Sequence, residues 1–452
     1  MGRKIAIVGA TIEGFMQLSM LVRHRRVFQE FYDDEYTLIH DPDKVHDYTL
    51  APAGIVFLET LEREIFITKR WMDKYVSNVE GCGYKYIGWG NRTDKNFFLS
   101  GCGQTFDIEK FRQRFIEDGG QIFGPNVKIV EKRIDSFEAG IDGCIINGDE
   151  YDYVIDCTNK MPLGWEDDYM EPPIHFANTV YTIEKPIAGD WNYIIDYAAK
   201  NGHIVGTPLK DKQIWSYYYN DEYNNIDEIK EELATVFPDE DITKSKSNSF
   251  DWKPRISNYI IHPENKRYFK NGGALISIDP SLVFTSEYTE LVGHQITEYI
   301  FGKGDNEDIE LSMLEMYSKF CIQTLCSFLG FLYQYGSRHE SKFWEMSESK
   351  AQTYIENSIF LHPNVFPGKK WRDKILTESW GDEDFRMAHH RHLLHEDDWT
   401  RREDKLPFMW MSNSNLFYEL AIGLGAPYAQ YLKTLGDTDP PEDFGTIGYE
   451  CV

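Results

Sequence analysis

Several groups of side chains stand at spacings that suit chemistry. The first is a glycine turn, Gly9-Ala-Thr11-Ile-Glu-Gly14. It lies between a short apolar run, Ile5–Val8, and a run with Phe15, Leu18, Leu21 and Val22 at helical spacing. Strand, glycine turn and helix make the first half of a dinucleotide-binding unit, where backbone N–H groups at the helix start approach pyrophosphate oxygens. Gly9 and Gly14 take the first and third glycine places, and Thr11 takes the middle one. A threonine side chain there narrows the approach, so weak cofactor binding is the expectation. A second strand, Tyr36–Ile39, ends in His40 and Asp41. An acid near that strand end would bind the adenosine ribose, and Asp41 lies one place late for it. The plain alternative is an α/β edge with a convenient glycine.

Other groups are less specific. Lys85 sits between Tyr84 and Tyr86 on a strand, so its side chain points opposite to theirs; a solvent-facing lysine on a half-buried strand has the same pattern. Asp156-Cys157-Thr158 closes the buried strand Tyr153–Cys157, and Asp279-Pro280 follows the apolar segment Ala274–Ile278. His389, His390, His392 and His395 cluster ahead of Glu396, Asp397 and Asp398, and His392 and His395 could meet on one helix face. A solvated polar helix explains them as well, and no metal site is assigned. Phe343-Trp344, Trp371, Trp380, Trp399 and Phe408-Met-Trp410 suit an aromatic pocket or plain core.

The elements that must position these residues follow from pattern. Thr60–Val76, Asp107–Asp118, Asp227–Val236 and Tyr288–Ile300 read as helices; Gln121–Phe123, Val127–Val130 and Cys144–Ile146 read as short strands. Residues 174–220 alternate aromatic and polar positions, as in an antiparallel sheet. The clearest shift in composition, Gly302–Glu307, suggests a linker into a helical C-terminal region. The net charge of −27 argues against a nucleic-acid partner, whose phosphates such a surface repels. Seven cysteines, odd in number and at no zinc or redox spacing, fit free thiols in a reducing cytoplasm. The most apolar long segment, Phe320–Tyr335, carries Gln323 and Gln334 and falls short of a membrane span, so no membrane partner is expected.

Four of these stretches, taken in order, resemble one family. The chain is similar to the flavin-dependent halogenases of the tryptophan-halogenase type, as a divergent member of the kind carried by phages. The stretches are Gly9–Gly14, Tyr84-Lys85-Tyr86-Ile87-Gly88-Trp89, Asp156-Cys157-Thr158 and Asp279-Pro280. The resemblance implies an α/β fold: a Rossmann-type FAD-binding module of the aromatic-hydroxylase kind, interleaved with an antiparallel sheet over residues 1–303. A helical C-terminal region, 304–452, follows. It implies that reduced FAD and O₂ convert halide to hypohalous acid, which reaches a small electron-rich aromatic through Lys85. It also implies FAD contacts at Gly9, Thr11, Gly14, Asp41, Asp156, Asp279 and Pro280, and halide contacts at the backbone N–H groups of Phe284 and Thr285. A helix cap by Thr285 or Ser286 accounts equally for the last pair.

Three departures stand out. The family's Trp-x-Trp-x-Ile-Pro signature, read as holding the flavin back from hydroxylation, falls on His203-Ile-Val205-Gly-Thr207-Pro208, where only the proline remains. The family's general-base Glu falls on Leu282, with Glu287 the nearest carboxylate downstream, and Asn159 replaces a glycine after Thr158. An FAD-dependent aromatic monooxygenase, or a flavin-binding protein without catalysis, therefore stays open. Gly81-Cys-Gly83 and Gly302-Lys-Gly304 lack strand-turn-helix context, so no NAD(P)H site is expected and reduced flavin would come from a separate reductase.

Overall fold

The first strand, β1 (Lys4–Val8), carries four apolar residues, all fully buried, because both its faces are covered. Ile5 and Ile7 meet Phe15, Leu18, Phe111 and Phe115 on one side; Ala6 and Val8 meet Ile39, Cys144, Val154 and Tyr268 on the other. The computed structural model describes residues 2–27, 33–45, 67–76, 78–90, 97–141, 143–163, 168–186, 192–238, 247–251, 254–278, 285–302 and 336–357, with single positions between 311 and 333.

From β1 the chain runs through α1 (Ile12–Val27) and β2 (Glu35–His40) to α2 (Lys69–Tyr75), whose first turn is capped by the Thr68 hydroxyl. The hairpin β3 (Asn78–Ile87) and β4 (Phe97–Phe106), then α3 (Ile108–Phe123) and β5 (Val127–Glu131), follow. A small sheet, β6 (Phe137–Gly140), β7 (Gly143–Ile146) and β8 (Asp149–Tyr151), leads to β9 (Tyr153–Asp156) and β10 (Tyr169–Met170). Next come β11 (Thr179–Pro186), β12 (Ile194–Ala199), β13 (Gly202–Pro208), β14 (Lys212–Tyr219), α4 (Ile226–Val236), β15 (Ser247–Asp251) and β16 (Arg255–Ser257). The described part closes with β17 (Tyr268–Lys270), a 3-10 turn at Gly272–Ala274, β18 (Ile276–Ser277), α5 (Thr285–Phe301) and α6 (Lys342–Asn357).

The parallel sheet has the order β17-β9-β1-β2-β5. The chain leaves β1 toward β2 on one side and later returns to β9 on the other, so the strand order reverses between β1 and β9. Ligands of open α/β sheets bind outside the strand ends at such a reversal. The second large sheet has the order β15-β11-β14-β13-β12-β3-β4 and is antiparallel except for the β12–β3 pair. One face, with Tyr84, Tyr86, Ile194 and Val205, packs against Leu325, Leu329, Tyr333, Phe343 and Trp344. The opposite face, with Ile195, Tyr197, Ile204 and Trp215, is covered by Ile229 and Leu233 of α4. Residues on both sides of the 303/304 boundary thus share one core.

Two short elements differ from the sequence expectation. Gln121–Phe123 continues α3 and is not a strand: Phe111, Phe115 and Phe123 recur at helical spacing into one core, and Gly119 lets Ile129 lie close against the helix. Ala274–Ile278 is not one strand but the end of the 3-10 turn and two strand residues; the strand that completes the parallel sheet is Tyr268–Lys270, only three residues long. Of the expected helix Thr60–Val76, residues 60–66 lie outside the described residues; Ile67 and Thr68 are not helical, because Thr68 is extended and caps the helix, which runs Lys69–Tyr75.

Candidate active site

The glycine turn ends β1 at the reversal point. Gly9 has φ +103°, and a Cβ there would lie 2.8 Å from the Cys157 carbonyl oxygen, so only glycine fits without strain. A Cβ on Gly14 would lie 2.0 Å from the Gly9 carbonyl oxygen. Thr11 caps α1: its carbonyl accepts from Phe15 N at 3.0 Å and its hydroxyl accepts from Gly14 N at 3.1 Å. The same hydroxyl donates to Cys157 O at 2.9 Å. Thr11 is 1% exposed, so its side chain turns inward and does not stand in the approach as the sequence suggested. A tight turn feeding a helix start at the reversal point fits the diphosphate of FAD.

At the end of β2, Asp41 is also buried, and both its oxygens serve the backbone. Oδ1 accepts from Asp43 N at 2.9 Å and Oδ2 from Ile134 N at 2.8 Å. It orders the loop after β2. His40 precedes it, 2% exposed, with Nε2 against the Arg112 guanidinium. Burial first, then Arg112, lowers its pKa from 6.5 to about 4, so the imidazole is neutral and accepts from the arginine.

Asp156 ends β9 beside Val8. Its Oδ1 accepts from Thr158 N and Oγ1 at 3.0 and 2.6 Å; its Oδ2 accepts from Leu163 N and the Tyr268 hydroxyl at 2.6 and 2.9 Å. This carboxylate fixes the β9 loop. The neighbouring strand end holds a residue that the sequence reading missed. Lys270, fully buried and in register with Asp156, places Nζ 3.1 Å from Ser257 Oγ and 3.4 Å from Asp168 Oδ2. The rings of Tyr259 and Tyr169 lie 3.9 and 4.2 Å from that nitrogen. Burial pulls its pKa from 10.5 to about 8, against the opposing pull of Asp168. A lysine ending a three-residue strand gives no periodic signal, which is why pattern alone did not find it.

On the seven-stranded sheet, Tyr84 and Tyr86 are buried on one face and Lys85 is half-buried on the other, as the alternation predicts. Lys85 pairs in register with Ile195, and its Nζ lies 5.7 Å from the Tyr193 ring centre. The signature positions His203 and Val205 share the face of Tyr84 and Tyr86, because Asp196 pairs with both Tyr86 and Val205. That face carries a buried polar chain: Asp196 Oδ1 accepts from Trp89 Nε1 at 3.1 Å and lies 3.1 Å from His203 Nδ1. Trp344, Tyr333 and His203 enclose Trp89 at ring distances of 5.2, 5.3 and 5.8 Å. Ile278, next to Asp279, joins the same cluster. The sheet therefore separates Lys85 from the signature positions and from the segment leading to Asp279.

Asp279, Pro280, Leu282, Phe284 and the histidines of 389–395 lie outside the described residues; Thr285 opens α5. Cys144, Cys157 and Cys326 are buried free thiols. Among the described residues, no group of His, Cys, Asp and Glu could hold a metal ion, and no helix is long and apolar enough to cross a membrane.

A parallel sheet with a glycine turn at its reversal point, joined to a large mixed sheet, defines the architecture as α/β. The particular fold is that of the flavin-dependent tryptophan halogenases, in divergent form. No family model and no curated protein matches the sequence. A tryptophan halogenase from Shewanella frigidimarina is similar at TM-score 0.66 and 15% identity, covering 96% of this chain and 97% of its own. MibH, a lanthipeptide tryptophan 5-halogenase, is similar at TM-score 0.70 and 12% identity, covering 98% of this chain and 88% of its own. The peptidyl tryptophan dihydroxylase QhpG shares the fold at TM-score 0.57 and 11% identity, covering 77% and 79%.

Proposed function

We propose that this chain is an FAD-dependent oxidoreductase that halogenates a small, electron-rich aromatic and draws reduced flavin from a separate reductase. The observation that carries the reading is the glycine cradle at the reversal point, with Gly9 at φ +103°, inside a fold that matches a halogenase along nearly all of both chains. Bound and reduced, FAD would supply the activation of O₂ that oxidises halide.

The chain's own residues do the rest. Gly9, Gly14 and the start of α1 receive the diphosphate, and Thr11 holds that turn against the β9 loop. Asp41 and Asp156 order the loops that flank the nucleotide. The family resemblance assigns Asp279 and Pro280 to the flavin end and the N–H groups of Phe284 and Thr285 to halide; of these four, Thr285 is among the described residues. Trp89, Tyr333 and Trp344 keep water out beneath the sheet. Lys85 is the candidate amine for carrying the halogen. Its side chain leaves the sheet beside Tyr193, on the face opposite His203.

A second reading, aromatic hydroxylation, is favoured by His203, Val205 and Thr207 standing where the protecting signature would be. Turnover with FAD, NADH, a flavin reductase and each halide against an aromatic panel, read by mass spectrometry, separates the two. Halogen replacing hydrogen supports halogenation; oxygen insertion regardless of halide supports hydroxylation; neither, in a folded flavin-bound chain, overturns both.

A further inference from the structure

Glu13 is the second residue of α1, next to the N–H groups that a diphosphate would use. The Thr11 hydroxyl and Glu13's own amide are within hydrogen-bonding reach of its carboxyl, and burial raises the pKa of that carboxyl.

Its side chain does not swing free. A Cβ on Gly272 would lie 2.5 Å from Glu13 Cγ and 3.2 Å from Cδ, so Glu13 rests on the 3-10 turn after β17. Gly272, at φ +54°, lets that turn approach. Since β9 lies between β17 and β1, the contact spans the end of β9, across the crevice where the strand order reverses. The turn is itself anchored. A Cβ on Gly273 would lie 2.6 Å from Asn159 Cβ, and Arg255 Nη2 donates to Asn159 O at 2.7 Å and to Gly273 O at 3.0 Å.

We propose that Glu13 holds the diphosphate seat of this chain closed. Its side chain runs from the start of α1 to the turn after β17, over the place a diphosphate would take, and FAD binds only by displacing it. This rests on the flavin reading above. When ionised, this carboxyl repels the two phosphate charges and competes for the positive end of the helix; burial, which favours its neutral form, weakens that repulsion but leaves the side chain in the seat. The cradle's glycines are intact, so the block is one side chain deep.

The test titrates the full-length chain, Glu13→Gln and Glu13→Ala with FAD, ADP and riboflavin by calorimetry, with circular dichroism melts to establish folding. Both variants should bind FAD and ADP about tenfold tighter than the wild type, the size of one partly buried charge interaction. Riboflavin, which has no diphosphate, should be unaffected. Equal FAD affinity in all three chains, or tighter binding by the wild type, overturns the proposal and leaves the flavin reading standing. Failure of all three folded chains to bind FAD or riboflavin overturns the flavin reading and this proposal with it. If Glu13→Ala unfolds, Glu13→Gln, with the same shape and no charge, carries the test.

Discussion

Gly9→Ala adds one methyl group at the tightest point of the nucleotide cradle. At φ +103° an alanine pays the left-handed backbone cost, about 1–2 kcal/mol. Its Cβ would also lie 2.8 Å from the Cys157 carbonyl oxygen, and forcing those groups apart costs about 1–3 kcal/mol. Together that is roughly 3 kcal/mol, a large share of an ordinary folding stability of about 5–15 kcal/mol. Gly124→Ala is the matched control: φ is +91°, yet nothing lies within 4 Å of the added methyl, so only the backbone cost applies. Urea unfolding of both variants, followed by tryptophan fluorescence, gives the comparison, and FAD titration of each gives the functional arm. Gly9→Ala should fall further than Gly124→Ala and lose FAD binding, whereas Gly124→Ala should keep it. Equal destabilisation, with FAD binding intact in both, refutes the claim that the β1 turn is a close-packed cradle for the nucleotide.

Three further outcomes are expected. Lys85→Ala should abolish halogenation of the organic substrate while leaving flavin binding intact, and Lys85→Arg should fail too, since a guanidinium stays charged and forms no haloamine; wild-type product yield from the alanine variant removes Lys85 from the mechanism. His40 titrates near 4 folded and near 6.5 unfolded, so the stability it contributes is complete above pH 6.5 and is lost as pH falls toward 4. The loss is on the order of 3 kcal/mol at most; His40→Gln should flatten that limb of the stability profile, and an unchanged acid limb contradicts it. Asp156→Ala leaves the Thr158 and Leu163 amides and the Tyr268 hydroxyl without their acceptor, costing about 3–5 kcal/mol, and a thermal melt within a degree of wild type would show that the β9 loop does not depend on it.

Much of the architecture was legible because it depends on local pattern. Ile5–Val8 announced a strand covered on both faces, and the alternation of Tyr84, Lys85 and Tyr86 gave the correct side for each residue. What failed depended on partners distant in sequence. Thr11 looked like an obstacle because nothing local reveals the Cys157 carbonyl that turns it inward. Gln121–Phe123 looked like a strand because two glycines precede it, while Phe111 and Phe115 already fix the helical spacing it continues. Lys270 carried no signal, since its strand is short and its aromatic surroundings come from Tyr169 and Tyr259. The separation of Lys85 from His203 is a matter of sheet register, which strand alternation alone does not supply.

The central claim is halogenation by reduced flavin, and its most direct test is the isotope pattern of the product. The chain is incubated with FAD, NADH, a flavin reductase, bromide and an electron-rich aromatic such as free tryptophan, and the product is read by high-resolution mass spectrometry. The account predicts a product with the bromine doublet that disappears when either the reductase or the bromide is withheld. A product carrying added oxygen and no bromine, formed equally well without halide, would contradict it.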